Sequence, residues 1–243
     1  MSIRVEQLTF RYPNKCALSD LDFALQKGEF CALLGPNGAG KSTLFALLTR
    51  LYALQTGKIT LNDISLTHRT SRVMQHIGVV FQQSTLDLDL SVRQNLHYHA
   101  SLHGMSWKEA RSSIDRELSR LEMLERADEK VRALNGGHRR RVEIARSLLH
   151  SPSILLLDEP STGLDPSARS HLNTYVRKLC ADTQLTVLWA THLIEEVYPD
   201  DRVLLLHQGQ LLSSGTGRDL CQLSGQTSLA SAFAQLTGKG DPQ

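Results

Sequence analysis

The glycine-rich segment at residues 35–42 reads Gly35-Pro36-Asn37-Gly38-Ala39-Gly40-Lys41-Ser42 and fits the pattern G-x-x-x-x-G-K-[ST]. It follows an apolar run at residues 30–34 and precedes a helix-like stretch at residues 42–51, which is the context of a phosphate-binding loop. In such a loop the backbone N–H groups turn toward the phosphates of a nucleotide. We expect Lys41 to reach the outer phosphates and the Ser42 hydroxyl to hold Mg²⁺. The segment therefore predicts a nucleotide and a magnesium ion as ligands.

The composition is that of an ordinary globular protein. The chain has 243 residues, of which 41% are hydrophobic and 21% charged, and a formal net charge of +2. This length suits one large α/β domain or a main domain with an inserted subdomain. A charge so close to balance predicts no general attraction to nucleic acid or to anionic membranes. No apolar run approaches the length that spans a bilayer, and the four scattered cysteines indicate reduced thiols.

Five apolar runs of β type recur along the chain, at residues 30–34, 77–81, 154–157, 185–190 and 203–207. The last run is followed by Gln208-Gly209 and by residues 210–213, which predicts a hairpin of two strands. Continuously apolar runs, as at residues 154–157, are typical of strands that helices cover on both faces. Helical patterns lie between the runs, one of them at Leu172, Val176 and Leu179. This alternation predicts an α/β fold.

The segment from residue 84 to residue 135 contains almost no strand pattern and interrupts this alternation. Its apolar residues make a helical stripe, namely Trp107, Ala110, Ile114, Leu118 and Leu121. Ser106 and Glu109 form a capping-box pattern at the start of that stripe. We interpret the segment as an inserted helical subdomain with Trp107 as an anchor of its core. Stacking of Trp107 on a nucleobase is the lesser alternative.

Two carboxylates, Asp158 and Glu159, directly follow the apolar run at residues 154–157. Because the carboxyl ends of parallel strands face the crevice in which α/β sheets bind ligands, we expect both to face the nucleotide. We assign Asp158 to the magnesium ion. The neighbouring charge raises the proton affinity of Glu159, which suits a general base that activates water. The alternative is a pair of solvated acids at the end of a strand.

Three further side chains could reach the same edge of the sheet, and each has a structural alternative. Gln82 follows residues 77–81, and its neutral amide suits contact with Mg²⁺ or the attacking water, although Gln83 is a rival. His192 follows residues 185–191 and could bind the γ-phosphate, but it is one of ten histidines. Tyr12 could stack on an adenine, although a lone tyrosine more often belongs to a loop or core.

A second candidate anion site reads Leu134-Asn135-Gly136-Gly137-His138-Arg139-Arg140-Arg141 and is predicted to open a helix at residues 142–150. Paired glycines at a helix N-terminus leave N–H groups and the positive end of the dipole free for an anion. If the two anion sites lie at opposite edges, one nucleotide cannot occupy both, and two chains would meet head to tail. The triple arginine could be a nucleic-acid patch, but a solvated helix face is favoured because the net charge is small.

Together these motifs resemble those of the ATP-binding cassette ATPases, the nucleotide-binding subunits of ABC transporters. The resemblance covers essentially the whole chain, and the motifs occur in the family's order. They are Tyr12 as the aromatic A-loop, residues 35–42 as Walker A, Gln82 as the Q-loop, residues 134–137 as the signature, residues 154–159 as Walker B with its glutamate, Ser161-Thr162-Gly163-Leu164-Asp165 as the D-loop, and His192 as the switch histidine.

The resemblance implies a P-loop NTPase of the ABC-ATPase fold, with a mixed β core and an inserted α-helical subdomain. Residues 1–83 and 136–223 would form the RecA-like and antiparallel-β core that binds ATP. Residues 84–135 would form the helical subdomain, which carries the start of the signature. Residues 224–243 would form a C-terminal helix and a disordered tail.

The resemblance also implies the ligands and the role of each site residue, with ATP and Mg²⁺ as cofactors. The residues that would bind ATP are Tyr12, Gly35, Pro36, Asn37, Gly38, Ala39, Gly40, Lys41, Ser42, Thr43, Asn135, Gly136 and Gly137. The catalytic residues would be Glu159, His192, Gln82 and Lys41. The ligands of the metal would be Ser42, Gln82 and Asp158.

As partners, the resemblance implies a second copy of the chain, in a homodimer that closes on ATP, and integral membrane permease subunits, with no nucleic acid. The protein would lie at the cytoplasmic face of the inner (plasma) membrane, held there by the membrane subunits. Residues 81–90 and 228–238 are similar to segments of ABC-2-type export ATPases. An importer ATPase and a soluble ATPase of iron–sulfur cluster assembly are the alternatives.

The signature departs from the family pattern at two positions. The family usually has Leu-Ser-Gly-Gly-Gln, whereas this chain has Asn135 in place of the serine and His138 in place of the glutamine. An asparagine can still donate a hydrogen bond to a γ-phosphate, so we expect activity with an altered affinity for closure. His138 could make hydrolysis sensitive to pH near neutrality, and a role facing solvent is an equal alternative.

Overall fold

The computed structural model describes residues 1–67 and 70–238, in which ten strands and eight α-helices follow one another. The strands are β1 (Ile3–Tyr12), β2 (Lys15–Leu25), β3 (Phe30–Leu34), β4 (Thr56–Leu61), β5 (Ile64–Ser65), β6 (Ile77–Val80), β7 (Ile154–Asp158), β8 (Thr186–Thr191), β9 (Arg202–His207) and β10 (Gln210–Thr216). The helices are α1 (Lys41–Leu48), α2 (Thr70–Met74), α3 (Val92–Leu102), α4 (Trp107–Arg120), α5 (Gly136–Leu148), α6 (Pro166–Thr183), α7 (Gly217–Ser224) and α8 (Leu229–Leu236).

A six-stranded sheet in the order β10-β9-β3-β8-β7-β6 forms the centre of the fold. Its strands pair in parallel except for β10, which pairs antiparallel with β9. All five residues of β7 and all six of β8 are buried, because helices and a second sheet cover the two faces. The five strands predicted from apolar runs and the sixth predicted from the hairpin are confirmed, with ends that differ by up to three residues. The α/β fold class is therefore confirmed as well.

A second sheet, in the order β2-β1-β4-β5, is antiparallel throughout. None of its strands gave an apolar run in the sequence, because only one face of each is buried. Leu8 of β1 and Leu21 of β2 lie in one core cluster with Leu44 of α1 and Leu204 of β9. The second sheet thus covers α1 and fixes the end of the helix at which residues 35–42 lie.

Residues 84–135 contain α3, α4 and two 3-10 turns, and within the described part of the chain they add no strand to either sheet. Capping boxes begin both helices, at Ser91 with Gln94 and at Ser106 with Glu109, so the predicted box at residue 106 is confirmed. Their apolar faces share a cluster with Val142 of α5. The boundaries of the helical subdomain stay a prediction.

Trp107 does not anchor this cluster, and that prediction was wrong. The side chain is 71% exposed and stacks on His97, with 4.1 Å between the ring centroids. Trp107 is the first residue of α4, and its side chain packs on the partly exposed ring of His97 of α3 at the surface and not in the cluster. The rest of the stripe, from Ala110 to Leu121, is buried as predicted.

The helix that follows the signature begins at Gly136, six residues before its predicted start. Asn135 is its N-cap, and its Oδ1 accepts a hydrogen bond from the backbone N–H of His138 at 2.8 Å. The paired glycines are therefore the first turn of α5 and not a loop before it. At the other end of the chain α8 lies within residues 224–243, where a C-terminal helix and tail are predicted; of the predicted tail at residues 238–243, residues 239–243 lie outside the described residues. No helix in the described ranges combines the length and the apolar composition needed to cross a bilayer.

The burial of Ile114 and the exposure of Trp107 can be tested by measuring the free energy of unfolding of variants at the two positions. Ile114 is fully buried, so Ile114→Ala should lower the free energy of unfolding by about 2–5 kcal/mol. Trp107→Ala should cost less than about 1 kcal/mol, because it removes an exposed stacking contact. Urea unfolding followed by circular dichroism measures both. A cost for Trp107→Ala that equals the cost for Ile114→Ala would contradict the position of Trp107 on the surface.

Candidate active site

The loop at residues 35–40 joins β3 to α1, and two of its glycines are required by close packing. A Cβ atom on Gly35 would lie 2.3 Å from the carbonyl oxygen of Leu206. Gly40 has a φ of +114°, and a Cβ atom there would lie 2.8 Å from the carbonyl oxygen of Ala17. Gly40 is also the N-cap of α1, which has no side-chain cap, so the first N–H groups of the helix are free for an anion.

Lys41 opens α1 and lies buried beneath this loop. Its Nζ atom donates hydrogen bonds to the carbonyl oxygens of Gly35 at 2.8 Å and Pro36 at 3.2 Å. It also lies 3.3 Å from Oε1 of Glu159. Burial lowers the pKa of Lys41, and the carboxylate of Glu159 opposes that change. The ammonium group is thus held at the loop by carbonyl dipoles and by one carboxylate.

Glu159 is the point at which the predicted catalytic side chains meet. Its Oε2 accepts a hydrogen bond from Nε2 of Gln82 at 3.2 Å, and its Oε1 lies 3.2 Å from Nδ1 of His192. With Lys41, these residues come from four different places: the start of α1 and the segments after β6, β7 and β8. Parallel pairing brings those segments to one edge, and in that register Asp158 lies opposite Ala190. Gln82, and not its neighbour Gln83, contacts the site.

Asp158 ends β7 with a buried carboxylate. Its Oδ1 atom has no hydrogen-bond partner among the described residues, and burial raises its pKa while a hydrogen bond from Ser42 lowers it. A buried carboxylate oxygen, a hydroxyl and the nearby Gln82 amide make an oxygen donor set, which is the set that Mg²⁺ prefers. The residues therefore fit the predicted ion.

Tyr12 ends β1 beside the loop, and its hydroxyl lies 3.3 Å from Oγ1 of Thr43. Its ring meets those of Phe10 and Tyr52 edge-on, at centroid distances of 5.2 and 6.0 Å. A cleft of about 320 Å³ lies between this tyrosine and the loop. The cleft is lined by residues predicted to bind ATP and by residues predicted to be catalytic. They are Tyr12, Asn37, Gly38, Gly40, Lys41, Ser42, Thr43, Gln82 and Glu159. Tyr52 gave no sequence signal, because it lies outside every motif.

The cleft at Lys41 does not include the predicted ATP-binding residues of the signature, Asn135, Gly136 and Gly137. They line a separate cleft of about 270 Å³ with Gly163 and Leu164, and this cleft shares no lining residue with the cleft at Lys41. Within one chain the structure does not bring the two anion sites together.

Arg140 corrects the prediction of a solvated arginine face. It is buried, and its Nη1 atom donates to Oε2 of Glu143 at 2.7 Å and to the carbonyl oxygen of Phe81 at 2.8 Å. Its Nη2 atom donates to the carbonyl oxygen of Gln82 at 3.1 Å. The guanidinium group therefore fixes the backbone of the Gln82 segment to α5. The Arg–x–x–Glu spacing at residues 140–143 was the signal that could have indicated an i,i+3 pair.

Glu196 is a buried residue near the site that no sequence motif indicated. The carboxylate is buried and accepts hydrogen bonds from Oγ of Ser161 and from Nε1 of Trp189, the latter at 3.0 Å. It joins the loop at residues 161–165 to β8, the strand that leads to His192. No spacing pattern pointed to it, because its partners are distant in sequence.

A phosphate-binding loop, a buried carboxylate pair and a strand-end histidine at one sheet edge define a nucleoside triphosphatase of the P-loop class. The sequence model of one family, described as ABC transporter, matches residues 18–162. The chain is 35% identical over 240 residues to the linearmycin resistance ATP-binding protein of Bacillus subtilis (strain 168). The matched region covers 98% of this chain and 75% of the relative. It is 36% identical over 221 residues to Nod factor export ATP-binding protein I of Burkholderia thailandensis, with 90% and 72% covered.

A dimeric solved structure of an ATP-binding cassette bound to ADP and Pi, in a post-hydrolysis state, superposes with a TM-score of 0.78. It is 26% identical in sequence, and the match covers 88% of this chain and 98% of that chain. The chain belongs to the ABC transporter family, as an ATP-binding and ATP-hydrolysing subunit.

The buried Arg140–Glu143 pair can be tested by substituting first one partner and then both. Arg140→Ala leaves Glu143 buried without its partner, so it should cost about 3–5 kcal/mol in the free energy of unfolding. Combining Arg140→Met with Glu143→Leu should recover part of that loss, because no lone charge stays buried. Denaturant titration measures each variant. Arg139→Ala is the control and should cost less, since Arg139 is only partly buried; an equal cost would contradict a special role for Arg140.

Proposed function

We propose that this chain is the ATPase subunit of a multi-subunit exporter and powers transport through separate transmembrane subunits. The observation that carries the mechanism is the meeting of Lys41, Gln82 and His192 at Glu159. The relatives named for linearmycin resistance and Nod factor export favour export over import and over iron–sulfur cluster assembly.

In this proposal the loop at residues 35–43 holds the phosphates of ATP and Tyr12 stacks on the adenine. Lys41 binds the outer phosphates, and a phosphate that takes Lys41 competes with Glu159 for the same ammonium group. Glu159 then acts as the base that takes a proton from the attacking water. Its neighbours Gln82 and His192 hold that water and the γ-phosphate in place.

We assign Mg²⁺ to Ser42, Gln82 and Asp158. The ion supplies charge neutralisation on the β- and γ-phosphates when it is bound. Oδ1 of Asp158 has no hydrogen-bond partner in the described part of the chain, and this supports the assignment, because a buried carboxylate oxygen is costly without a hydrogen bond or a cation.

The complete site requires a second copy of the chain in this proposal. Asn135, Gly136 and Gly137 lie in a cleft apart from Lys41, so they can reach an ATP at the loop only on another molecule. The dimeric arrangement of the solved relative bound to ADP and Pi supports a homodimer. We place the dimer at the cytoplasmic face of the inner membrane, attached to ABC-2-type permease subunits, with no role for nucleic acid.

Two substitutions separate binding of ATP from its hydrolysis. Glu159→Gln removes the proposed base but keeps the shape of the side chain, so turnover should fall at least about 100-fold while ATP still closes a dimer. Lys41→Ala should lose ATP binding itself. Phosphate release measures turnover, and size-exclusion chromatography with and without ATP measures dimerisation. A Glu159→Gln variant that stays monomeric in saturating ATP would contradict closure by ATP.

Transport itself needs the membrane partners. Co-purification with the membrane proteins encoded beside this chain, followed by reconstitution in vesicles, should give ATP-dependent movement of cargo in the export direction. Uptake that depends on an external binding protein would overturn the export proposal and leave the ATPase assignment intact.

The asparagine in the signature is expected to set the affinity of closure. Asn135→Ser restores the usual family residue and keeps an N-cap oxygen for the N–H of His138, so the helix itself should be unchanged. We expect a shift in the ATP concentration at half-maximal dimerisation. Dimerisation and turnover identical to those of the unmodified chain would refute a tuning role for this position.

A further inference from the structure

Three histidines meet away from the active site, at the junction of α3 with the end of α5. His99 and His103 lie four residues apart on one face of the α3 segment, and His150 follows α5. Each histidine contributes one ring nitrogen atom to a group of three, and these three atoms all lie within 4.8 Å of one another. All three side chains are partly exposed, so solvent can reach this three-histidine cluster.

The hydrogen bond of His150 fixes which of its nitrogen atoms is free. Nε2 lies 3.0 Å from the carbonyl oxygen of Ile77, and a carbonyl only accepts, so Nε2 carries the proton. In the neutral ring Nδ1 therefore holds the lone pair. This atom is buried and has no hydrogen-bond partner within residues 1–67 and 70–238. A ring N–H bound to a backbone carbonyl, with the other nitrogen free, is the arrangement typical of a metal-binding histidine.

The charge state of the cluster also suits a metal. Burial lowers the pKa of His99 to about 3 and that of His150 to about 4, and it lowers the pKa of His103. Neutral imidazole is the form that ligates metals, so no proton has to leave at pH 7. Arg146 is the charged group that acts on His99, and a further histidine, His76, lies near His150. The carboxylate of Glu143 acts on Arg146 with the opposite charge, which offsets part of this repulsion.

We propose that His99, His103 and His150 bind a zinc ion. Two histidines four residues apart on a helix face one another, and the third comes from a different element, which makes a three-nitrogen site. An all-imidazole set suits Zn²⁺, Cu²⁺ or Ni²⁺ and does not suit Mg²⁺, which prefers oxygen. The site is thus distinct in chemistry from the oxygen donors at Asp158. Water completes the fourth position of a tetrahedral zinc ion.

Binding requires one adjustment of the side chains. The rings of His103 and His150 are stacked, with centroids 3.9 Å apart and an angle of 12° between the planes. Stacked rings do not aim both lone pairs at one point, so His103 has to turn about its Cβ–Cγ bond. That torsion has broad minima, and the turn therefore costs little.

The position of the cluster gives the ion a structural consequence. It would join α3 to the end of α5, and through the Ile77 carbonyl to β6. The strand β6 leads to Gln82, which contacts Glu159. Zinc would therefore hold the helices of residues 92–148 against the strand that carries Gln82.

The test is a titration of the full chain with ZnCl₂ after removal of metal by EDTA, without nucleotide, followed by calorimetry. We expect one ion per chain at this site, and His99→Gln and His103→Gln should each weaken it at least about tenfold. The matched control is His97→Gln, because His97 lies on the same helix but stacks on Trp107 outside the cluster. The control should bind zinc as the unmodified chain does. The four cysteines are unchanged in every variant, so a difference between variants reports the histidines.

A second measurement covers the case in which a variant is less stable without metal. Zinc should raise the thermal midpoint of the unmodified chain and of His97→Gln, and should not raise that of His99→Gln. Co²⁺ in place of zinc should give visible absorption bands of tetrahedral type without a sulfur-to-cobalt band. Equal zinc affinity in the unmodified chain and both cluster variants, or a sulfur-to-cobalt band, would overturn the proposal.

Discussion

The contact between Lys41 and Glu159 is the constraint on which the site depends. Two opposite charges lie 3.3 Å apart, each almost removed from water, at an edge where four segments of the central sheet end. Removing one partner of such a pair costs about 3–5 kcal/mol, because the other charge stays buried and unpaired. The loop that presents Lys41 and the strand that presents Glu159 are therefore fixed relative to each other. In our proposal a triphosphate replaces one anionic partner of Lys41 with another, so the buried ammonium group is not left without a negative charge.

The position of Gln82 depends on this centre and on α5 at once. Its side chain donates to Glu159, while its backbone carbonyl accepts from Arg140. Arg140 is paired in turn with Glu143, whose Oε1 accepts from the backbone N–H of Thr85. One buried ion pair thus binds both ends of residues 81–85. A shift of α5 has to move the backbone of Gln82 or break charge-assisted hydrogen bonds. These contacts provide a physical route from the glycines at the start of α5 to the carboxylate of Glu159.

The sequence predicted those parts of the fold and site that depend on local pattern. Continuously apolar runs marked five of the six strands of the central sheet, because burial on both faces leaves no polar alternation. The sixth, β10, is largely exposed and was indicated by the turn at Gln208-Gly209. The second sheet escaped notice, since alternating strands such as β1 are interrupted by register shifts. Trp107 and Arg140 were misplaced because periodicity says which residues share a helix face and not how far the neighbouring elements extend over it. The structural role of Glu196 could not be predicted, because it accepts hydrogen bonds from Ser161 and Trp189, which are distant from it in sequence or on another strand.

The glycines of the two anion sites differ in what requires them. Gly35 and Gly40 are required by this chain itself, because a Cβ atom on either would collide with backbone oxygens 2.3 and 2.8 Å away. Among the described residues, and apart from the backbone of α5 and the adjacent residues, no atom lies within 4 Å of where a Cβ on Gly136 would lie, and Gly137 has only ordinary contacts from 3.6 Å. Within the described part of the chain, no neighbour therefore requires a glycine at either position. A close approach from outside the molecule would account for both glycines, and this supports the second copy in our proposal.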